Sequence, residues 1–151
     1  MSGHAFTFEA SHIVWSTKDR KPLLDPADFD RLWAYSGGII RSLRCELLAA
    51  GGMPDHVHML VRKHPSVSTA DLLRIVKSKT SAWVKDELSV SRHFAWQRGY
   101  GAFSISEDRV RGVRSYINNQ AKHHKKLTFQ EEYLGFLERH KVKYDPRYIW
   151  D

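Results

Sequence analysis

The stretch Leu43-Arg44-Cys45-Glu46-Leu47-Leu48-Ala49-Ala50-Gly51-Gly52-Met53-Pro54-Asp55-His56-Val57-His58-Met59-Leu60-Val61-Arg62 decides the fold. Leu43 to Ala50 and His56 to Arg62 both read as strands rich in apolar residues. Gly51-Gly52-Met53-Pro54-Asp55 reads as a compact turn between them, which makes the pair an antiparallel hairpin. Upstream, Phe6 to Thr17 is β-branched and aromatic enough for a first strand, closed by the turn-like Lys18-Asp19-Arg20-Lys21-Pro22. A helix follows, with Asp25 as N-cap, Pro26 in the first helical position and Phe29, Leu32, Trp33, Ile39 and Ile40 on its apolar face. Gly37-Gly38 interrupts that helix, which suits close packing or a bend.

Downstream of the hairpin, Ser68 or Thr69 caps a helix that turns Leu72, Leu73, Val76, Ala82, Trp83 and Val84 inward. Phe94 to Ile105 reads as a fourth strand. Ser106-Glu107-Asp108 opens a helix to about His124, with acidic residues where the helix dipole favours them. Thr128-Phe129-Gln130-Glu131 caps a last helix to about His140. Strand, helix, strand, strand, helix, strand is the split βαβ, or ferredoxin-like, order. The expected fold is therefore α+β. A four-stranded antiparallel sheet carries helices on one face, and a tyrosine-bearing helix and one further helix follow. Neither a repeat nor a linker divides the chain, so residues 1–151 are expected to form one domain.

Composition narrows the function. The chain carries 24 Lys and Arg against 17 Asp and Glu, a formal charge of +7 and a pI near 9.6. That excess favours a polyanionic partner, most often nucleic acid, because each neutralised phosphate releases counterions. Much of it lies late, in Lys122-His123-His124-Lys125-Lys126 and Arg139-His140-Lys141-Val142-Lys143. Cys45 is the only cysteine, which excludes an internal disulfide and suits a reducing compartment. No apolar run approaches the roughly 20 residues of a membrane span. The N-terminus lacks the layout of a secretory signal. A soluble cytoplasmic protein is expected. No Gly-x-x-x-x-Gly-Lys or Gly-x-Gly-x-x-Gly loop is present, so no nucleotide cofactor is expected.

Two side-chain pairs could carry chemistry. In a strand, His56 and His58 project from the same face, so both imidazoles can reach one metal ion, while Val57 points into the opposite layer. The same pattern also fits packed or solvent-facing histidines. Tyr116 and Gln120 are one helical turn apart and share a face. A glutamine carbonyl can be a hard ligand and a tyrosine a nucleophile, although a helical tyrosine at a core edge reads identically. Arg114, Lys122, Lys125 and Lys126 flank this pair, and Arg98 is a further candidate phosphate contact.

Together these motifs are similar to those of the HUH-type single-tyrosine transposases, the enzymes of the smallest bacterial insertion sequences. Gly52-Met53-Pro54-Asp55-His56-Val57-His58-Met59-Leu60-Val61 closely resembles their His-hydrophobic-His signature. Ser11 to Leu24 resembles their first strand and turn. Trp96-Gln97-Arg98-Gly99-Tyr100-Gly101-Ala102-Phe103-Ser104 and Tyr116-Ile117-Asn118-Asn119-Gln120 follow in kind and order. The resemblance spans about residues 6 to 150. It implies His56, His58 and Gln120 as ligands of Mg²⁺ or Mn²⁺, and Tyr116 as the nucleophile. The implied activity is transposition through cleavage and rejoining of single-stranded DNA with hairpins near the transposon ends. Its intermediate would be a covalent 5′-phosphotyrosine. A homodimer in which the tyrosine helix completes the partner's metal site is implied as well.

Two rival readings share the fold. A domesticated copy, or a relaxase or replication initiator of the same HUH chemistry, would act on other DNA; relaxases generally carry longer chains and often a third histidine in the motif. A single-stranded RNA-binding module would use Arg98-Gly99-Tyr100-Gly101-Ala102-Phe103 as an aromatic strand, but would need neither residue pair. Trp15, Trp96, Tyr100 and Phe103 are open to a stacking role, and Trp83 is assigned to the core.

Overall fold

The computed structural model describes residues 5–90, 92–120 and 127–151. Strands β1 (Ala10–Ser16), β2 (Glu46–Met53), β3 (His56–Arg62) and β4 (Gly101–Ile105) form one sheet in the order β2-β3-β1-β4. Every neighbouring pair is antiparallel. Helices α1 (Phe29–Ser42) and α2 (Thr69–Glu87) complete the split βαβ order. Helices α3 (Val110–Asn118) and α4 (Phe129–Arg139) follow. The expected fold is therefore the observed one.

Side-chain alternation assigns the two faces. Ile13 and Trp15 of β1 and Val57, Met59 and Val61 of β3 join the main core with Leu32, Ile39 and Ile40 of α1 and Leu72, Leu73 and Val76 of α2. The intervening residues face the other way, where α3 and α4 cover Val14, Leu60 and Phe103. Both faces are thus buried, which is why β1 shows no solvent-facing residue along its length.

Capping follows the expected chemistry. Asp25 accepts a hydrogen bond from the Ala27 amide at 2.9 Å and opens a 3₁₀ turn, Pro26–Asp28, ahead of α1. Ser68 accepts from the Asp71 amide at the start of α2. Thr128 and Glu131 form a reciprocal capping box at α4. In α2 the inward stripe takes Thr80 and leaves Ala82 exposed, contrary to the expected face; Trp83 is half-buried and stacks on Tyr35.

Several boundaries differ from expectation, beginning with β1, which starts at Ala10 rather than Phe6, and β2, which starts at Glu46 rather than Leu43. Gly51 and Gly52 lie within β2, and the turn shrinks to Pro54-Asp55. The cause is close approach: a Cβ on Gly51 would stand 2.3 Å from the Ile117 carbonyl oxygen of α3. The fourth strand begins at Gly101, because Phe94 to Tyr100 is held as a loop by other means. The Lys77 ammonium donates to the carbonyls of Gln97, Arg98 and Gly99 at 2.7–3.0 Å, and Gln97 Oε1 accepts from the Ser16 amide at 2.8 Å. Finally, α3 ends at Asn118, so Gln120 lies beyond its last turn; the expected continuation toward His124 falls outside the described residues.

Candidate active site

β3 delivers His56 and His58 to the face covered by α3 and α4, and neither ring is exposed. His58 stands at mid-sheet, opposite Val14 of β1 and Gly51 of β2. Phe129 of α4 stacks on His56 with ring centroids 4.5 Å apart, and Phe136 packs edge-on against His12 at 5.0 Å. The histidines therefore lie buried beneath α4.

Glu132 of α4 brings a carboxylate into this setting while itself only 1% exposed. Its Oε1 lies 2.8 Å from Nε2 of His58 and 3.6 Å from Nε2 of His56. Oε1 of Gln120 lies 3.4 Å from Nε2 of His56. Ligands about 2.1 Å from a common octahedral or tetrahedral ion are separated by about 3.0–3.4 Å. The donor atoms of His56, His58 and Glu132 fall within 4.8 Å of one another, so these residues fit a single divalent cation. Two imidazoles with oxygen donors suit Mn²⁺ better than Mg²⁺, whose preference is for oxygen alone.

Tyr116 sits against the same cluster. Its hydroxyl donates to Oε2 of Glu132, and its ring lies 6.0 Å from that of His58. Burial, and then the Glu132 carboxylate, push the phenol above the ordinary tyrosine range. In this arrangement Tyr116 is protonated and Glu132 is the group placed to take its proton. In the single chain Tyr116 lies beside His58 and Glu132.

Each histidine has a partner at its other ring nitrogen. Nδ1 of His56 lies 2.7 Å from Oδ1 of Asp55, and Nδ1 of His58 lies 2.8 Å from Nε2 of His12. Burial first, and then His58, lower His12 to about 3, so it is neutral near pH 7. Beside this cluster a groove of about 1330 Å³ runs along the ends of β1 and β4, with His12, Tyr116, Lys63, Arg109 and Arg139 in its wall.

Of the residues singled out in the sequence, His56, His58, Tyr116 and Gln120 converge here. Arg114 is exposed on α3. Arg98 is exposed elsewhere, beside Lys77 and Tyr100 against α2. Lys122, Lys125 and Lys126 lie outside the described residues. Trp15, Trp96 and Phe103 are buried, and only Tyr100 among the stacking candidates is exposed. Burial of Phe103 under α4 removes the open aromatic sheet face that an RNA-binding module would need. Sequence reasoning did not find Glu132, His12 or Asp55. A signal for Glu132 exists: the buried residues of α4 are Phe129, Glu132, Tyr133, Phe136 and Leu137, which puts a glutamate on the apolar stripe.

Among the described residues no helix is long and apolar enough to cross a membrane. Over 123 residues the chain is 24% identical to the ISDra2 transposase TnpA of Deinococcus radiodurans, covering 78% of this chain and 87% of that protein. A crystal structure of a candidate transposase from the same organism superposes with a TM-score of 0.62 at 24% identity, over 80% of this chain and 97% of the other. A REP-associated tyrosine transposase bound to a REP hairpin gives a TM-score of 0.57 at 17% identity, over 82% and 74%. These structures share the fold. Residues 8–120, from just before β1 through Gln120, match the IS200-like transposases, and on that match the chain belongs to the IS200-like transposase family.

Proposed function

We propose that this transposase cuts and rejoins single-stranded DNA at transposon ends through a covalent bond to Tyr116, with a divalent metal ion, Mg²⁺ or Mn²⁺, held by His56 and His58. The observation that carries the reading is the meeting of Tyr116 with two buried histidines on one buried carboxylate. Glu132, through Oε1, and Gln120 are the oxygen donors placed to complete the ligand set. A divalent ion there would polarise the scissile phosphate and neutralise charge growing on its oxygens.

The protein's own groups do the rest. A phenol with a pKa near 10 is about one part in a thousand ionised at pH 7, a cost of about 4 kcal/mol, and burial of Tyr116 increases it. Oε2 of Glu132 accepts the hydroxyl proton as the tyrosine oxygen bonds to phosphorus. The phosphorus–O3′ bond breaks and the departing oxygen takes a proton from solvent, leaving a free 3′-hydroxyl and a 5′-phosphotyrosine. For rejoining, the 3′-hydroxyl of a second strand gives its proton to solvent as it attacks the same phosphorus, and Tyr116 leaves, taking its proton back from Glu132. One phosphodiester is exchanged for another, so no external energy source is required.

The hairpin-bound relative of the same fold supports hairpin-bearing DNA as the partner. The proposed assembly is a homodimer that brings two DNA ends together. The reading is tested with 5′- and 3′-labelled single-stranded DNA carrying the element end, run on denaturing gels with Mn²⁺ and with EDTA. Wild type should form a protein–DNA adduct that needs metal, and Tyr116→Phe should form none. An adduct that survives Tyr116→Phe would remove the tyrosine from its role. Metal-independent binding of RNA without any adduct would replace the enzyme by a binding module.

A further inference from the structure

We propose that His12 is a positioning residue of the metal centre, turning Nε2 of His58 toward the cation and setting which ring nitrogen carries hydrogen. This rests on the reading of His56, His58 and Glu132 as ligands.

An imidazole that gives its Nε2 lone pair to a metal carries its hydrogen on Nδ1, and in a buried site that hydrogen needs a built acceptor. For His56 the acceptor is the Asp55 carboxylate, 2.7 Å away at the half-exposed hairpin turn. His58 stands at mid-sheet, and its Nδ1 meets Nε2 of His12 at 2.8 Å. The topology makes this contact: Val14 pairs with His58, so His12, two residues along β1 on the same face, is its diagonal neighbour. His12 is 3% exposed, and the edge-on ring of Phe136 fixes its orientation.

Nε2 of His58 faces Oε1 of Glu132 at 2.8 Å, and its Nδ1 faces Nε2 of His12 at 2.8 Å. With a cation on Nε2 of His58, its Nδ1 carries the hydrogen and Nε2 of His12 accepts it.

The test uses the full chain and Mn²⁺ alone, with free Mn²⁺ counted by electron paramagnetic resonance. His12→Phe, which fills the space but cannot hydrogen-bond, should lose about 10- to 100-fold in Mn²⁺ affinity. His12→Gln, whose amide can either give or accept, should recover most of it. Long-range ¹H–¹⁵N spectra of wild type loaded with Mg²⁺ should show the His58 hydrogen on Nδ1. A folded His12→Phe that binds Mn²⁺ like wild type overturns the role of His12 and leaves the ligand set standing. If that variant fails to fold, a His58 hydrogen found on Nε2 in the loaded wild type overturns it equally. Wild type that binds no Mn²⁺ overturns the ligand reading first, and this inference with it.

Discussion

Tyr116 and Glu132 share a hydrogen bond across two helices, with the hydroxyl on α3 donating to the carboxylate on α4. The other oxygen of that carboxylate faces Nε2 of His58. One side chain therefore touches both the proposed nucleophile and the proposed metal site. Glu132→Gln keeps the volume and removes the charge. Its Mn²⁺ affinity should fall at least about tenfold, or about 1.4 kcal/mol. The Tyr116 phenol should also ionise at lower pH, read from tyrosinate absorbance with Tyr116→Phe as the baseline. Unchanged Mn²⁺ affinity would take Glu132 out of the ligand set and leave Gln120 as the third ligand.

Stability should depend on pH through His12. Its pKa is lowered from 6.5 to about 3 in the folded chain, chiefly by burial. Between those values the unfolded chain binds a proton that the folded chain does not, so acid favours unfolding. The contribution is fully present above pH 6.5 and is lost as pH falls toward 3. Urea unfolding of metal-free protein should show about 2 kcal/mol less stability at pH 5 than at pH 7.5 from this residue. His12→Gln should flatten that part of the slope; an identical slope would assign the effect to other groups.

In the single chain Tyr116 lies beside its own His58, and an assembly that keeps this contact predicts that two inactive variants do not rescue each other. Tyr116→Phe mixed with His58→Ala, each without adduct formation alone, should stay inactive under dimer-forming conditions. Recovered adduct on the His58→Ala chain would show instead that its tyrosine helix serves the partner's histidines, the exchanged arrangement implied by family resemblance.

Gly51 sets how closely the tyrosine helix approaches the sheet. In Gly51→Ala the new methyl would meet the Ile117 carbonyl oxygen at 2.3 Å, against backbone that has no rotamer to yield. Overpacking of this kind costs about 1–3 kcal/mol. Thermal melting should fall by several degrees, about 2–4 °C per kcal/mol for a chain of this size. Adduct formation should fall more than DNA binding, since Ile117 adjoins Tyr116. A variant as stable and active as wild type would mean that α3 moves freely over the strand.

The sequence was informative where chemistry and period coincide. His56 and His58 share a strand face whatever surrounds them, and Asp25, Ser68 and Thr128 announce helix starts through local hydrogen bonds. Gly51-Gly52 misled because glycines before proline look like a turn, and the helix that requires Gly51 lies more than sixty residues away. Glu132 follows Glu131 in the first turn of α4, where acidic residues are ordinary; its burial depends on tertiary packing. His12 gives no local signal, since its significance comes from the register of β1 against β3.

The contacts at the centre join residues separated by 46, 64 and 74 positions, namely His12 with His58, His56 with Gln120, and His58 with Glu132. Loop closures of that length come late in folding, after local helices and the hairpin have formed. A nascent chain can thus display its histidine pair long before α4 emerges from the ribosome. Until α4 docks, Tyr116 lacks its hydrogen-bond acceptor and the histidines lack their carboxylate. The proposed cutting power would accordingly arrive last, as a property of the finished fold, sparing DNA near unfinished chains.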